Sequence, residues 1–296
     1  MKKPVFEGAG VALVTPMYED GSVNYKVFEQ LVDFQVANGT DALIVMGTTG
    51  ESVCLHNEER ERLIDIAVSK AKGKVPIIVG TGSNDTNYSI MRSKRAEALG
   101  ADAVLCVTPY YNKTSQDGLV CHYNMIADSI NIPVIVYNVP SRTGVNIKPE
   151  TYYRLSKHPN INATKEANGD ISGVAQTVAL CGDELNIYSG NDDQTVAIMS
   201  LGAKGVISVF SNIMPKECHM LTQAMLEGRF KDGAALQLKY LELMNMLFSD
   251  VNPIPVKEAM NILGYECGYC RMPLVPMSEN GRQKLLECMQ RYGLVK

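Results

Sequence analysis

One lysine in this sequence lies where its side chain could act as a nucleophile. Lys165 ends a short apolar run, Ile161–Lys165, and strand alternation points it to the same side as Ala163 and Ile161. Buried lysines are rare, because an ammonium group loses its hydration in an apolar interior. Such burial favours the neutral amine, which attacks carbonyl carbons to form a Schiff base. An ordinary strand-end lysine paired with a carboxylate is the alternative interpretation.

Hydroxyl side chains at the ends of other apolar runs could move protons near that lysine. Tyr137 ends the fifth run, Thr48 follows the second run, and Tyr111 follows the fourth. Alcohols and phenols both donate and accept hydrogen bonds, so a chain of them can relay a proton where no histidine is available. Taken singly, each tyrosine is more often a packing residue.

Further residues at the run ends suit a small keto acid rather than a phosphate ester. Thr49 offers a hydroxyl and an amide, and Arg142 offers a guanidinium that can clamp a carboxylate. Asp192 and Asp193 follow the seventh run, where many barrels bind phosphate, and would repel a phosphorylated substrate. No histidine lies at a run end and no HExxH spacing occurs, so we expect no metal.

Eight apolar runs rich in β-branched residues recur along the chain, at intervals long enough for a helix and two loops. The runs are Val11–Thr15, Ala42–Gly47, Ile77–Gly80, Ala103–Thr108, Val134–Tyr137, Ile161–Lys165, Asn186–Ser189 and Gly205–Val209. Helical stripes fill the intervals, for example Tyr25–Asn38 before Gly39 and Asn57–Lys72 before Gly73. The pattern predicts an α/β fold, a (β/α)₈ TIM barrel, with an open doubly wound sheet as the alternative.

Strand signals stop after residue 226, whereas helical signals continue. The helical stretches are Phe230–Phe248, Pro253–Leu263 and Ser278–Tyr292, and no linker rich in Gly, Ser or Pro precedes them. We predict a catalytic barrel over 1–226 and a C-terminal helical extension over 227–296. Active sites of such barrels gather at the C-terminal ends of the strands.

Composition narrows the location and the partners of the protein. The 296 residues carry 28 Lys and Arg against 32 Asp and Glu, without a dense basic run, which argues against nucleic-acid binding. No apolar run approaches the length of a membrane span, and the first residues, Met1–Gly8, are not expected to form a signal-peptide core because Glu and Gly follow two apolar residues. Eight scattered cysteines, including the isolated pair Cys267 and Cys270, are typical of reduced thiols, so we expect a cytoplasmic protein.

Five sequence blocks resemble the dihydrodipicolinate synthase family, from about Gly8 into the C-terminal helices. The blocks are Gly47–Ser52, Val107–Lys113, Val136–Gly144, Lys165–Ala167 and Gly205–Val209. Tyr-Tyr-Asn in the second block and Tyr-Asn-Val-Pro-Ser-Arg-Thr-Gly in the third separate that family from its relatives. The first block and the lysine block are shared across the wider group of pyruvate-dependent lyases.

The resemblance implies that pyruvate forms an imine with Lys165 and, as an enamine, attacks the aldehyde of L-aspartate 4-semialdehyde. This is the first committed step of diaminopimelate and L-lysine biosynthesis, and it needs no separate cofactor. Thr48, Tyr137 and Tyr111 would form the proton relay, with Tyr111 entering the neighbouring subunit's site. A homodimer is then the smallest active unit, and a homotetramer built from two dimers is common in the family.

The same resemblance implies the substrate contacts. Thr49 would hold the pyruvate carboxylate, Arg142 the semialdehyde carboxylate, and Gly190 and Ile207 would line the pocket through backbone groups. Two alternatives stay open. A sugar-acid aldolase of the N-acetylneuraminate lyase type matches the second and third blocks poorly, and a silent binding barrel would be expected to have lost Lys165 or the relay.

Lysine-inhibited members of the family bind L-lysine at the subunit interface near the residue that corresponds to Tyr110. Three residues of that regulatory site are kept in this sequence: Ser52, Asn84 and Tyr110. The histidine positions read Asn57 and Arg60, and the glutamate position reads Tyr88. An ammonium ligand would lose an anionic partner and meet a like charge, so we predict weak or absent inhibition.

Overall fold

Eight parallel strands close into a barrel in the computed structural model, which describes residues 2–296. Each strand pairs with the next in the chain, and β1 pairs with β8. The strands are β1 (Gly8–Ala12), β2 (Ala42–Val45), β3 (Ile77–Gly80), β4 (Ala103–Val107), β5 (Val134–Asn138), β6 (Ile161–Glu166), β7 (Asn186–Ser189) and β8 (Gly205–Ser208). The predicted barrel is confirmed, and the open sheet is wrong because neither β1 nor β8 has a free edge.

Twelve α-helices accompany the strands within residues 2–296. They are α1 (Tyr25–Ala37), α2 (Asn57–Ala71), α3 (Thr86–Ala98), α4 (Gln116–Asp128), α5 (Pro140–Thr143), α6 (Pro149–Ser156), α7 (Ile171–Cys181), α8 (Thr195–Met199), α9 (Pro215–Leu226), α10 (Phe230–Met246), α11 (Ile254–Ile262) and α12 (Glu279–Arg291). Gly39 and Gly73 follow α1 and α2 with φ of 82°, a backbone conformation that glycine adopts without steric cost. Among the residues described, no helix combines the length and apolar character that crossing a bilayer requires.

Apolar side chains fill two regions, one inside the barrel and one between the sheet and the helices. The inner region takes residues from all eight strands: Ala12, Ile44, Ile78, Leu105, Ile135, Ala163, Tyr188 and Ile207. The outer region joins the opposite strand faces to the helices, as with Val45 of β2 and Leu63 of α2. Strands buried on both faces are expected to be almost continuously apolar, which explains the strength of the sequence signal.

The first strand lies three residues earlier than predicted. The apolar run predicts a strand over Val11–Thr15, whereas β1 spans Gly8–Ala12. Gly10 carries no strand signal of its own, and a larger residue there would require Ile44 and Phe6 to shift. A Cβ at this position would lie 2.6 Å from Cδ1 of Ile44 and 2.8 Å from Cζ of Phe6.

The alternation predicted for β6 is interrupted near its start. Val134 pairs with Ile161, but the next residue of β5, Ile135, pairs with Ala163, so β6 carries one extra residue. Ile161 therefore faces the outer region, and its predicted inward orientation is wrong. Ala163 faces the barrel interior, and the alternation between Ala163 and Lys165 holds as predicted.

The three helices predicted after residue 226 are present, and α10 packs against α9 and α8 of the barrel. Three aromatic rings connect the extension to the barrel. The ring of Tyr240 on α10 lies 5.6 Å from that of Phe210, which follows β8, and 5.7 Å from that of Tyr292, which follows α12. The segments around α11 return to the C-terminal end of the barrel, where they contact the loop after β2.

Candidate active site

Lys165 and Tyr137 lie side by side at the C-terminal ends of β6 and β5. The strand register pairs the two residues, and both are buried, with exposed fractions of 6% and 7%. Nζ of Lys165 lies 4.5 Å from the centre of the Tyr137 ring. Within residues 2–296 no carboxylate oxygen lies within 4.0 Å of that nitrogen, so the ion-paired interpretation of Lys165 is wrong.

Gly190 and Ile207 lie in the same part of the barrel. A Cβ at position 190 would lie 3.1 Å from Cε of Lys165, so glycine leaves space beside the amine. The N–H of Gly190 donates to the carbonyl of Glu166 at 2.7 Å, which leaves its own carbonyl as the backbone group for a ligand. Ile207 is fully buried in the interior on β8.

The loop after β2 brings Thr48 and Thr49 to this end of the barrel. Thr49 is buried, and its hydroxyl accepts a hydrogen bond from Nδ2 of Asn252 at 3.1 Å. The loop turns sharply, with positive φ at Met46 (57°) and Glu51 (54°), a conformation that few residues other than glycine adopt. Such backbone geometry is often found at functional sites.

A fully buried ion pair fixes this loop to the C-terminal helices. Nζ of Lys257, on α11, lies 2.9 Å from Oε1 of Glu51, and each side chain is 1% exposed. Lys257 also donates to the carbonyl of Tyr269 at 2.6 Å, and the N–H of Arg271 donates to Glu51 at 2.8 Å. Because both carboxylate oxygens of Glu51 and the ammonium of Lys257 have hydrogen-bond partners, the pair can persist in the interior and anchor the Thr48–Thr49 loop.

Arg142 and Thr49 share one partner, Asn252, which Arg142 contacts at the backbone carbonyl and Thr49 at the side-chain amide. Arg142 lies in the short helix α5, is exposed, and donates from Nη2 to the carbonyl of Asn252 at 3.1 Å. Oδ1 of Asn252 is buried and has no hydrogen-bond partner among the described residues. The sequence carried no signal for Asn252, because it lies 203 residues after Thr49 in an irregular segment of the extension.

Tyr111 does not reach Tyr137 or Thr48 within one chain. Its side chain is 91% exposed, and its φ of 68° lies in the left-handed region. Thr48 is half-buried, and no hydrogen bond joins these three residues in the described part of the chain. The relay that the resemblance implies is therefore incomplete in a single chain.

The two aspartates after β7 have different surroundings. Asp192 is buried, and its Oδ2 accepts the N–H groups of Val209 and Phe210 at 3.0 and 2.9 Å. Burial raises the pKa of its carboxyl, although hydrogen bonds from Ser208 and the two amides lower it. Asp192 therefore holds the loop after β8 through its side chain, a role that the sequence did not indicate. Asp193 is exposed.

Metal-ligating side chains do not gather in groups of three or more anywhere in residues 2–296. The eight cysteines, Cys267 and Cys270 included, are all free.

A cavity of about 570 Å³ opens beside α3 and is lined by residues of the expected regulatory site, Tyr110, Asn84 and Tyr88. Arg92 also lines it, donates to the Tyr88 hydroxyl at 2.9 Å and stacks over the ring at 4.0 Å. The Tyr88 hydroxyl donates in turn to Oδ1 of Asn57 at 3.2 Å. A cation and neutral groups thus line the cavity beside a single acid, Asp85, where an ammonium ligand would need acceptors.

Arg60 does not line this cavity as predicted. Its guanidinium is buried and donates to the carbonyl oxygens of Ser52 at 2.9 Å and Gly80 at 2.5 Å. Burial lowers the pKa of Arg60 to about 10. Arg60 therefore braces the loop after β2, and Arg92 supplies the positive charge in the cavity.

We expect L-lysine to inhibit this protein only weakly. The acid at the cavity, Asp85, already accepts the N–H of Tyr88 at 2.6 Å as the cap of α3, and Arg92 repels an ammonium. Losing one charged hydrogen-bond partner costs ~1.5–3 kcal/mol, or more than about tenfold in affinity. Initial rates measured against rising L-lysine test this prediction. Half-inhibition below about 1 mM, an affinity of roughly −4 kcal/mol, would contradict it.

Comparisons with known proteins show similarity over almost the whole chain. The sequence matches the Dihydrodipicolinate synthetase family over residues 5–292. It is 50% identical over 291 residues, 98% of each chain, to the 4-hydroxy-tetrahydrodipicolinate synthase of Caldicellulosiruptor saccharolyticus.

Solved structures are similar over the whole fold. The dihydrodipicolinate synthase of Aquifex aeolicus is 43% identical, with a TM-score of 0.95 over 98% of this chain and 99% of that one. The dihydrodipicolinate synthase of Acinetobacter baumannii, solved with pyruvate, is 40% identical, with a TM-score of 0.96 over 98% and 99% of the two chains. The resemblance seen in the sequence is confirmed, and this chain belongs to the dihydrodipicolinate synthetase family.

Proposed function

We propose that this chain condenses pyruvate with L-aspartate 4-semialdehyde to form 4-hydroxy-tetrahydrodipicolinate, the first committed step of diaminopimelate and L-lysine biosynthesis. The observation that carries the proposal is the buried Lys165 amine beside Tyr137, without a carboxylate partner in the described chain. The pyruvate complex of the Acinetobacter baumannii relative supports pyruvate as the first substrate.

Lys165 starts the reaction as a neutral amine. Its Nζ attacks C2 of pyruvate, the carbonyl oxygen leaves as water, and a protonated imine remains. The imine withdraws electrons, so a proton leaves C3 and an enamine forms. Because the imine itself accepts the electrons, the chemistry requires no separate cofactor.

The second substrate then forms the carbon–carbon bond. The enamine C3 attacks the aldehyde carbon of the semialdehyde, and the aldehyde oxygen takes up a proton. The amino group of the semialdehyde attacks C2, closes the ring and releases Lys165 as the free amine. One water is lost in the whole sequence, when the first imine forms.

Proton transfers in these steps fall to Tyr137, Thr48 and Tyr111. The position of the Tyr137 ring beside Nζ supports a direct role near the imine. The exposure and strained backbone of Tyr111 support its insertion into the site of a second copy. We therefore propose a homodimer as the smallest active unit and a tetramer of two dimers as its assembly.

Substrate carboxylates would be bound by the loops after β2 and β5. Thr49, oriented by Asn252, is assigned to the pyruvate carboxylate, and Arg142 to the semialdehyde carboxylate. Gly190 and Ile207 would complete the wall through backbone groups. The eight free cysteines fit the reducing cytoplasm, where we place the reaction.

An assay of pyruvate with different aldehydes tests the proposal. We expect condensation with L-aspartate 4-semialdehyde and none with the sugar aldehyde that an N-acetylneuraminate lyase would use. Turnover of the sugar aldehyde alone would overturn the proposed substrate. Turnover of neither aldehyde, with the protein folded, would support a silent barrel.

We expect Arg142→Ala to weaken recognition of the second substrate selectively. Removing a charged partner of a carboxylate costs roughly 2–5 kcal/mol, while imine formation with pyruvate stays almost intact. Steady-state kinetics with both substrates varied measure the two effects. Arg154→Ala is the matched control, because Arg154 pairs with Asp117 on the surface. Equal losses for pyruvate and semialdehyde would show the assignment of Arg142 to be wrong.

A further inference from the structure

A buried hydrogen-bond cluster lies directly behind the two proposed catalytic residues. Asn138 follows Tyr137 in β5, and Glu166 follows Lys165 in β6, so alternation turns both side chains away from the barrel interior. The strand register pairs Asn138 with Glu166, and the two residues are 0% and 4% exposed. Each proposed catalytic residue is therefore the direct neighbour in the chain of one member of this cluster.

The carboxylate of Glu166 is the centre of the cluster. Nδ2 of Asn138 donates to its two oxygens at 3.0 and 3.2 Å, and the hydroxyl of Tyr152 on α6 donates at 2.7 Å. The N–H of Asn168 donates at 3.0 Å. The N–H of Ala167 also donates to the carbonyl of Asn138 at 2.9 Å. These bonds tie the end of β6 to β5, to α6 and to the loop that follows.

Within residues 2–296 the carboxylate of Glu166 forms no ion pair with a lysine, arginine or histidine. The groups that contact the carboxylate are neutral hydrogen-bond donors. Among them only the phenol of Tyr152 can titrate, and the phenol of Tyr123 on α4 lies near Tyr152. Burial raises the pKa of the Tyr152 phenol well above its ordinary value, so the phenol stays protonated and donates. A buried carboxylate without a counter-ion is costly, and apolar packing would hold two strands at lower cost. The cluster therefore calls for an explanation beyond fold stability.

We propose that Glu166 is a positioning residue for the proposed Schiff-base reaction. Through Asn138 and Tyr152 its carboxylate fixes the ends of β5 and β6, and so holds the Lys165 amine beside Tyr137. The inference rests on the proposed function, because it assigns a role in imine formation. A displacement of about 1 Å in a reacting group can cost about a hundredfold in rate, so the alignment of two strand ends has a large effect.

Protonation of Glu166 weakens this arrangement near neutral pH. Burial raises the pKa of the Glu166 carboxyl to about 7, although hydrogen bonds from Tyr152 and Asn138 lower it. Above this pH the carboxylate accepts charge-assisted hydrogen bonds, which are about twice as strong as neutral ones. Below it the carboxyl is neutral, and a glutamine at this position imitates that neutral form with nearly the same shape.

The test measures the rate of imine formation at saturating pyruvate in the full-length protein, by rapid mixing and borohydride quenching. We expect Glu166→Gln to slow imine formation about 10- to 100-fold at pH 8, with little change in the pyruvate concentration at half-saturation. The ratio of wild-type to variant rates should fall about five- to tenfold between pH 8 and pH 6, because the wild-type carboxyl is mostly protonated at pH 6.

Two further variants make the test specific. Tyr152→Phe removes one donor and keeps the carboxylate, so we expect a smaller loss in the same direction. Asp41→Asn is the matched control, because Asp41 accepts the N–H of Ala9 at 2.7 Å at the opposite end of the barrel. Its imine rate should equal that of the wild type.

The outcomes separate this inference from the proposed function. A wild-type protein that traps no pyruvate would overturn the proposed function and the inference with it. If the wild-type protein traps pyruvate and both Glu166→Gln and Tyr152→Phe form the imine at the wild-type rate, the inference alone is overturned. A rate ratio that stays the same at pH 6 and pH 8 would also overturn it, because a purely structural defect has no reason to follow the protonation of Glu166.

Discussion

Lys165→Met should lower kcat for condensation by at least about 10³-fold, because it removes the proposed nucleophile for imine formation. Methionine is chosen because it keeps most of the buried aliphatic volume, so the barrel should fold with little loss of stability. Lys204→Met is the matched control. Lys204 precedes β8 at the opposite end of the barrel and only approaches Glu7, at 3.9 Å.

Steady-state kinetics and thermal unfolding together test this prediction. We expect a folded, inactive Lys165→Met protein and a fully active Lys204→Met protein. Retention of more than about a tenth of wild-type turnover in folded Lys165→Met would show that another group forms the imine or that none is needed.

Tyr111→Phe should lower kcat about 10²-fold or more, because loss of one proton-transfer group costs that much in general acid–base catalysis. A second expectation concerns a mixture of the two nearly inactive variants, Lys165→Met and Tyr111→Phe. In a hybrid dimer of Lys165→Met and Tyr111→Phe chains, the second chain keeps its own lysine and receives Tyr111 from the first. One complete site is thereby restored.

Mixing the two variants at equal concentration, with exchange of subunits, should return about a quarter of wild-type turnover, since half of the dimers are hybrids with one complete site. The measurement is kcat of the mixture against each variant alone. Turnover no higher than the mean of the two variants would contradict a site shared between chains. Tyr153→Phe, an exposed tyrosine on α6, is the matched control and should stay fully active.

Most of the fold could be predicted because burial on both strand faces leaves a strong apolar signal. Seven strands lie close to the predicted runs, while β1 was misplaced because Gly10 is selected by close packing against Ile44 and Phe6 rather than by strand preference. The extra residue in β6 was also invisible, since nothing in Ile161–Lys165 marks the shift in pairing with β5.

Some residues of the candidate site could be predicted from the sequence, and others could not. Lys165 could be found because a lysine on the apolar side of a strand is rare and its direction follows from alternation. Asn252, Lys257 and Glu166 could not be found, because their roles depend on contacts between distant segments or on neighbours behind the sheet. Arg60 was assigned to the wrong cavity because its sequence position gives no direction for a long side chain on α2.

Borohydride reduction in the presence of pyruvate, followed by peptide mass mapping, tests the central claim most directly. Reduction converts the imine into a stable secondary amine, so the modified peptide identifies the nucleophile. We expect one pyruvate-derived adduct per chain, on Lys165, and none in Lys165→Met. An adduct on another lysine, or no adduct in a folded wild-type protein, would contradict the account.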